Sequence, residues 1–123
     1  MNKVCLVGRL THDVNVNEVG ENRVAKFTVA VDRGLSKEAK ENAKQTADFI
    51  RCNAWNAKAD LIEKYTHKGD QIGVSGKIQT DTYENADGKK VNVTFVLVEN
   101  IDLLSSKRGQ QNTFSVSEDD LPF

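Results

Sequence analysis

Apolar residues recur at every second position through most of this chain, and that period of two is what most restricts its fold. Between Asn2 and Leu10, Val4, Leu6 and Leu10 fall on one side of an extended backbone, with Lys3, Cys5, Val7 and Arg9 on the other. Arg23 to Arg33 repeats the pattern, with Ala25, Phe27, Val29 and Val31 sharing a face. Ala47 to Asn56 forms a third strand. Gln71 to Thr82 forms a fourth, with Ile72, Val74 and Ile78 alternating against Ser75, Lys77 and Gln79. Val91 to Leu104 is a long fifth strand. Side chains that alternate in this way build a sheet with one buried and one open face.

Helical spacing interrupts the strands once. Ala59, Leu61, Ile62 and Tyr65 make one apolar stripe, which Asn56 can cap and Gly69 can stop. The segment GLSKEAKENAKQ carries no large apolar residue beyond Leu35 and reads as a mobile loop, although KEAKENAK can form a short helix. A polar stretch through Asn17 and Gly20-Glu21-Asn22 turns the chain between the first two strands. Gly73 and Gly76 suggest a bend or bulge, and Asp87-Gly88 marks a turn inside the longer hairpin loop YENADGKK, which holds Tyr83. Three strands, a helix and two strands is the order of an all-β, five-stranded OB-fold barrel. After Leu104 the composition turns to Ser, Gln, Asn, Gly and Lys. The expected organisation is a barrel domain over 1–105, a flexible linker over 106–117 and an acidic tip over 118–123.

With 28% charged and 38% hydrophobic residues, the chain can bury a core and stay soluble. No apolar run approaches the roughly 20 residues of a membrane helix, and MNKVCLVGRL reads as a strand and not as a leader. Two cysteines, Cys5 and Cys52, are too few for a secreted framework, so both are expected as buried free thiols in a reducing cytoplasm. The net charge of −1 hides an asymmetry. Setting aside Glu118, Asp119 and Asp120 leaves 15 acids against 17 basic residues, so a mildly basic body carries an acidic tail.

The stretch DFIRCNAW carries the chemistry. Ile50, Cys52 and Ala54 make a small apolar face, and Phe49, Arg51, Asn53 and Trp55 make the other. A core would not take Arg51 and Asn53 unpaired, because burying such groups costs several kcal/mol. A plain solvent face has no use for a phenylalanine and the only tryptophan. Flat rings on an anionic backbone suit this surface, since bases stack on aromatics while cations track phosphates. Tyr83 stands near Lys89 and Lys90, and Lys77 and Gln79 occupy the outer face of the fourth strand. Lys3 and Arg9 do the same on the first strand, and Arg33 ends the second. Competing roles exist: Trp55 could cover the helix base, and Phe49 could pack under a loop or between subunits.

Other chemistry finds little support. His12, His67, Cys5 and Cys52 have no zinc-site spacing. GVSG lacks the spacing and lysine of a phosphate loop. No catalytic residue, metal or cofactor is expected.

The segments NKVCLVGRLTHD, RVAKFTVAVDR, TADFIRCNAW and LIEKYTHKGDQIGVSGKIQTDTYENADGKK, with the terminal DDLPF, resemble bacterial and phage single-stranded DNA-binding proteins. The resemblance runs in order through 1–104 and returns at the last residues. It implies an OB-fold that assembles as a homotetramer and wraps single-stranded DNA with little sequence preference, in bacterial or host cytoplasm. It places base-stacking aromatics at Phe49, Trp55 and Tyr83. A further family aromatic falls near Leu35, which cannot stack as a ring does. It also implies that the tip docks replication, recombination and repair enzymes. Leu121 and Phe123 would be apolar anchors, Pro122 a backbone restraint, and Asp119 and Asp120 partners for a basic rim. An OB-fold module that works mainly through protein partners, of primosome type, is the competing expectation.

Overall fold

The computed structural model describes residues 1–104. The linker and tip, with Asp119, Asp120, Leu121, Pro122 and Phe123, lie outside the described residues. In chain order the elements are β1 (Val4–Leu10), β2 (Asn15–Val19), β3 (Asn22–Asp32), α1 (Lys37–Asn42), β4 (Ala47–Trp55), α2 (Ala57–Tyr65), β5 (Gln71–Glu84) and β6 (Lys90–Leu103). The strands form one sheet in the order β1-β5-β6-β4-β3-β2, and a further β1–β3 pairing closes it. β1 serves two neighbours: Val4 to Arg9 pair with β5, while Arg9 and Leu10 pair with β3. β4 and β6 run parallel, with Cys52 level with Val96 and Asn53 with Leu97. This is the OB-fold barrel. Its five strands are β1, β3, β4, β5 and β6, and α2 lies between the third and fourth of them.

Inward residues fill the barrel: Leu10 of β1, Ala25, Phe27 and Val29 of β3, Cys52 and Ala54 of β4, Ile72 and Val74 of β5, and Val96 and Val98 of β6. Ala59 and Ile62 of α2 join the same cluster. Each fully buried large aliphatic or Phe side chain contributes about 1.5–3 kcal/mol. Burial pushes the Cys52 thiol up to about 12, so it stays protonated and inert.

Two glycines allow the closure. A Cβ on Gly8 would sit 2.3 Å from the Ala30 carbonyl oxygen, where β1 passes from β5 to β3. A Cβ on Gly76 would sit 1.9 Å from the Leu97 carbonyl oxygen. Gly76 pairs with both Val4 and Val98, and the ladder shifts register between Ser75 and Gly76. The expected bulge is there.

Several expectations need correction. β2 is an additional strand: Asn15 to Val19 pair with β3 across a tight turn at Gly20 (φ 63°). Its five residues NVNEV are mostly polar and conceal the pairing. The lysine-rich loop does form a short helix, α1, with the Ser36 hydroxyl accepting from the Ala39 N–H. Asn56 occupies the N-cap position of α2 but does not cap it. At φ 54° its side chain turns away, and its Oδ1 accepts from the Arg23 N–H. α2 ends at Tyr65, and Gly69 lies beyond it, donating its N–H to the Leu10 carbonyl. β5 runs to Glu84, so Tyr83 is on the strand opposite Val91 and not in the loop. Cys5 is exposed, because only alternate residues of β1 face the barrel.

Candidate nucleic-acid interface

β4 presents Phe49, Arg51, Asn53 and Trp55 on the face opposite the buried Cys52 and Ala54. Pairing extends this face sideways. On β3, Thr28 lies beside Arg51 and Lys26 beside Asn53. On the other flank comes β6, and beyond it β5, where Gln79 pairs with Phe95, Asp81 with Val93 and Tyr83 with Val91. The result is an open groove of about 930 Å³, bordered by Trp55, Arg51, Asn53, Lys26, Gln79 and Tyr83 among others. A smaller groove of about 530 Å³ adjoins it and includes Phe49, Ile78, Val93 and Phe95. Arg51, Val93 and Phe95 border both.

The aromatics here lack a core to serve. Phe49 is 59% exposed and Tyr83 53% exposed. Trp55 is half-buried, yet it belongs neither to the buried cluster nor to the apolar residues packed on it. Arg51 and Lys26 have no ion-pair partner among the described residues. The acids Asp13 and Asp81 also border the larger groove, which leaves its charge close to balanced. Asp13 is occupied, its Oδ1 accepting from the Lys68 N–H at 2.7 Å.

The structure brings together part of the expected set. Arg51, Trp55 and Tyr83 border the larger groove, and Phe49 and Arg51 the smaller. Lys77 sits one row along on the same face, opposite Leu97. Lys3, Arg9, Arg33 and Lys89 border neither groove. Lys3 pairs with Glu99 at 3.4 Å, and Arg9 donates to the Gly69 carbonyl at 3.0 Å. Arg33 pairs with Asp48 at 2.8 Å and holds that carboxyl below the usual range. Leu35 is partly buried in the segment leading to α1. Lys26 and Phe95 are groove residues that the sequence patterns did not single out. Lys26 was legible as the outward neighbour of Ala25 and Phe27. Phe95 sits in the unbroken apolar run FVLV, where parity cannot be read.

Among the described residues no group of three or more His, Cys, Asp or Glu could hold a metal. No helix among them is long and apolar enough to cross a membrane.

Barrel closure, the placing of α2 and a groove of rings, amides and cations on one face define an OB-fold binding protein. The chain belongs to the single-strand binding protein family, whose model matches residues 1–104. It is 36% identical to single-stranded DNA-binding protein 3 of Streptococcus agalactiae, over all of this chain and 99% of that one. It is also 36% identical to single-stranded DNA-binding protein 1 of Streptococcus pyogenes, again over 100% and 99%. Its likeness to the single-stranded DNA-binding protein of Lactiplantibacillus plantarum is 44% over 87% of this chain, and spans only 52% of that longer relative. All three relatives are named for binding single-stranded DNA.

Proposed function

We propose that the protein binds single-stranded DNA with little sequence preference, by stacking bases on Trp55, Tyr83 and Phe49 while Arg51 and Lys26 meet phosphates. One observation carries this reading: aromatics outside the core share a groove with unpaired cations. The names of its relatives support the choice of DNA. A duplex keeps its bases stacked inside and cannot offer their faces to these rings. In a gel shift with equal concentrations of a single strand and its duplex, the single strand is expected to be retained and the duplex to run free. Equal retention would contradict the reading.

Among the described residues, Lys26 and Arg51 are the only lysine and arginine bordering the larger groove, so the electrostatic share per barrel is small. For a strand short enough to occupy one barrel, two neutralised phosphates give a log affinity against log salt slope of about −1.4. Titrations at several salt concentrations check this. A slope steeper than about −4 would mean that charges outside the groove dominate.

In this reading the barrel of 1–105 is the DNA-binding domain, 106–117 a linker and 118–123 a portable ligand. Asp119, Asp120, Leu121, Pro122 and Phe123 would recruit replication, recombination and repair enzymes. Lys3, Arg9, Arg33, Lys77 and Lys89 would add weaker contacts to a strand leaving the groove, within a homotetramer in the cytoplasm. Deleting residues 118–123 is expected to leave DNA binding unchanged or slightly tighter, and to abolish capture of partner enzymes in a pull-down. Loss of DNA binding on deletion would refute the portable-ligand role.

A further inference from the structure

Phe95 is the one aromatic among the three residues, with Arg51 and Val93, that border both grooves. Its neighbours Val96 and Val98 alternate inward, 3% and 5% exposed, where they complete the barrel core. Phe95 pairs with Gln79, and the parallel β4–β6 register puts Arg51 level with it on the same face. The ring is half-buried, yet it is neither in the core nor among the apolar residues packed against it. Leaving a phenylalanine in that position forgoes much of the roughly 1.5–3 kcal/mol that burial would contribute. Val93, two residues earlier on the same face, also borders both grooves. An aromatic ring between a cation and an amide repeats the chemistry of Trp55 beside Asn53.

We infer that Phe95 is a further base-stacking residue, and that it joins the two grooves into one path. A strand held at Trp55 and Tyr83 continues over Phe95 to Phe49, with Arg51 at its phosphates on either side. This rests on the single-strand-binding reading above and adds to it a residue and a route.

The test compares wild type, Phe95→Ala and Phe95→Leu in binding to (dT)15, with thermal melting and sedimentation of each. Leucine keeps an apolar side chain of similar reach and removes the ring, so it serves where alanine fails to fold. Loss of one stacked base is expected to weaken binding about 5- to 150-fold. Melting of Phe95→Leu and its sedimentation should match wild type. In addition, irradiating wild type bound to a 5-iododeoxyuridine strand should yield an adduct on Phe95. Variants that bind as wild type does, with no adduct at Phe95, would overturn the inference alone. Variants with altered sedimentation and no adduct would overturn it in favour of an interface between copies. A wild type that fails to bind (dT)15 would overturn the reading and the inference together.

Discussion

Trp55→Ala is expected to weaken binding to oligo(dT) about 5- to 150-fold, the equivalent of one lost base stack at about 1–3 kcal/mol. Its melting temperature should stay within about 3 °C of wild type. The two halves of this expectation separate the roles open to the ring. A tryptophan truncated within a core costs about 3–5 kcal/mol of stability. Trp55 is outside the barrel's buried cluster and faces the groove with Arg51 and Asn53. Its loss should therefore be felt by the ligand and hardly by the fold. Calorimetry and a binding titration on one preparation check both. A large drop in melting temperature with unchanged affinity per folded molecule would make Trp55 a structural residue covering α2.

Gly76→Ala is expected to act in the opposite way, disabling the fold and binding together. The added methyl would stand 1.9 Å from the Leu97 oxygen, 2.9 Å from its carbon and 3.1 Å from the Val98 Cα. These are backbone atoms in a strand held from both sides, so no side chain can rotate out of the way. β5 must move from β6 at the point where it also pairs with Val4 of β1. Overpacking in a well-packed site costs typically about 1–3 kcal/mol and occasionally more. A clash with the ladder itself belongs at or above the top of that range. For a domain of about 100 residues, 3 kcal/mol lowers melting by more than about 10 °C. Gly73→Ala is the control. Its Cβ would meet nothing nearer than 3.6 Å, so melting should change little. Equal behaviour of the two variants would contradict the role given to Gly76.

The barrel was largely legible because its strands alternate cleanly. Ala25, Phe27 and Val29 face the core as their spacing requires, and so do Ile72 and Val74. Ile78 keeps the same parity but is 46% exposed, although it pairs with the buried Val96. Periodicity gives a side chain's face and not how fully that face is covered. β2 was hidden because only Val16 of its five residues packs on the core, too little for a period of two to show. The Asn56 cap was misjudged for a local reason. A polar residue before a helix predicts a cap only with extended backbone, and here φ is 54°.

The binding face was legible where one strand carries it, in Phe49, Arg51, Asn53 and Trp55. It was less so where it depends on neighbours. β6 lies between β4 and β5, although β5 comes first in the chain. No local pattern reveals that order, so Phe95 could not be placed beside Arg51. Lys3, Arg9 and Arg33 stood out as outward cations, but in the fold they bind Glu99, the Gly69 carbonyl and Asp48. A charge on the right face of its own strand can still have a partner there.

Fluorescence of Trp55, the only tryptophan, tests the central claim most directly. Titration with oligo(dT) at low and high salt should quench it strongly, and more weakly at high salt for the same DNA concentration. Duplex DNA should leave it almost unchanged. That result places a base on the ring in the groove. Emission that stays flat while a gel shift shows the strand bound would contradict stacking on Trp55, and emission that stays flat with no shift would contradict DNA binding itself.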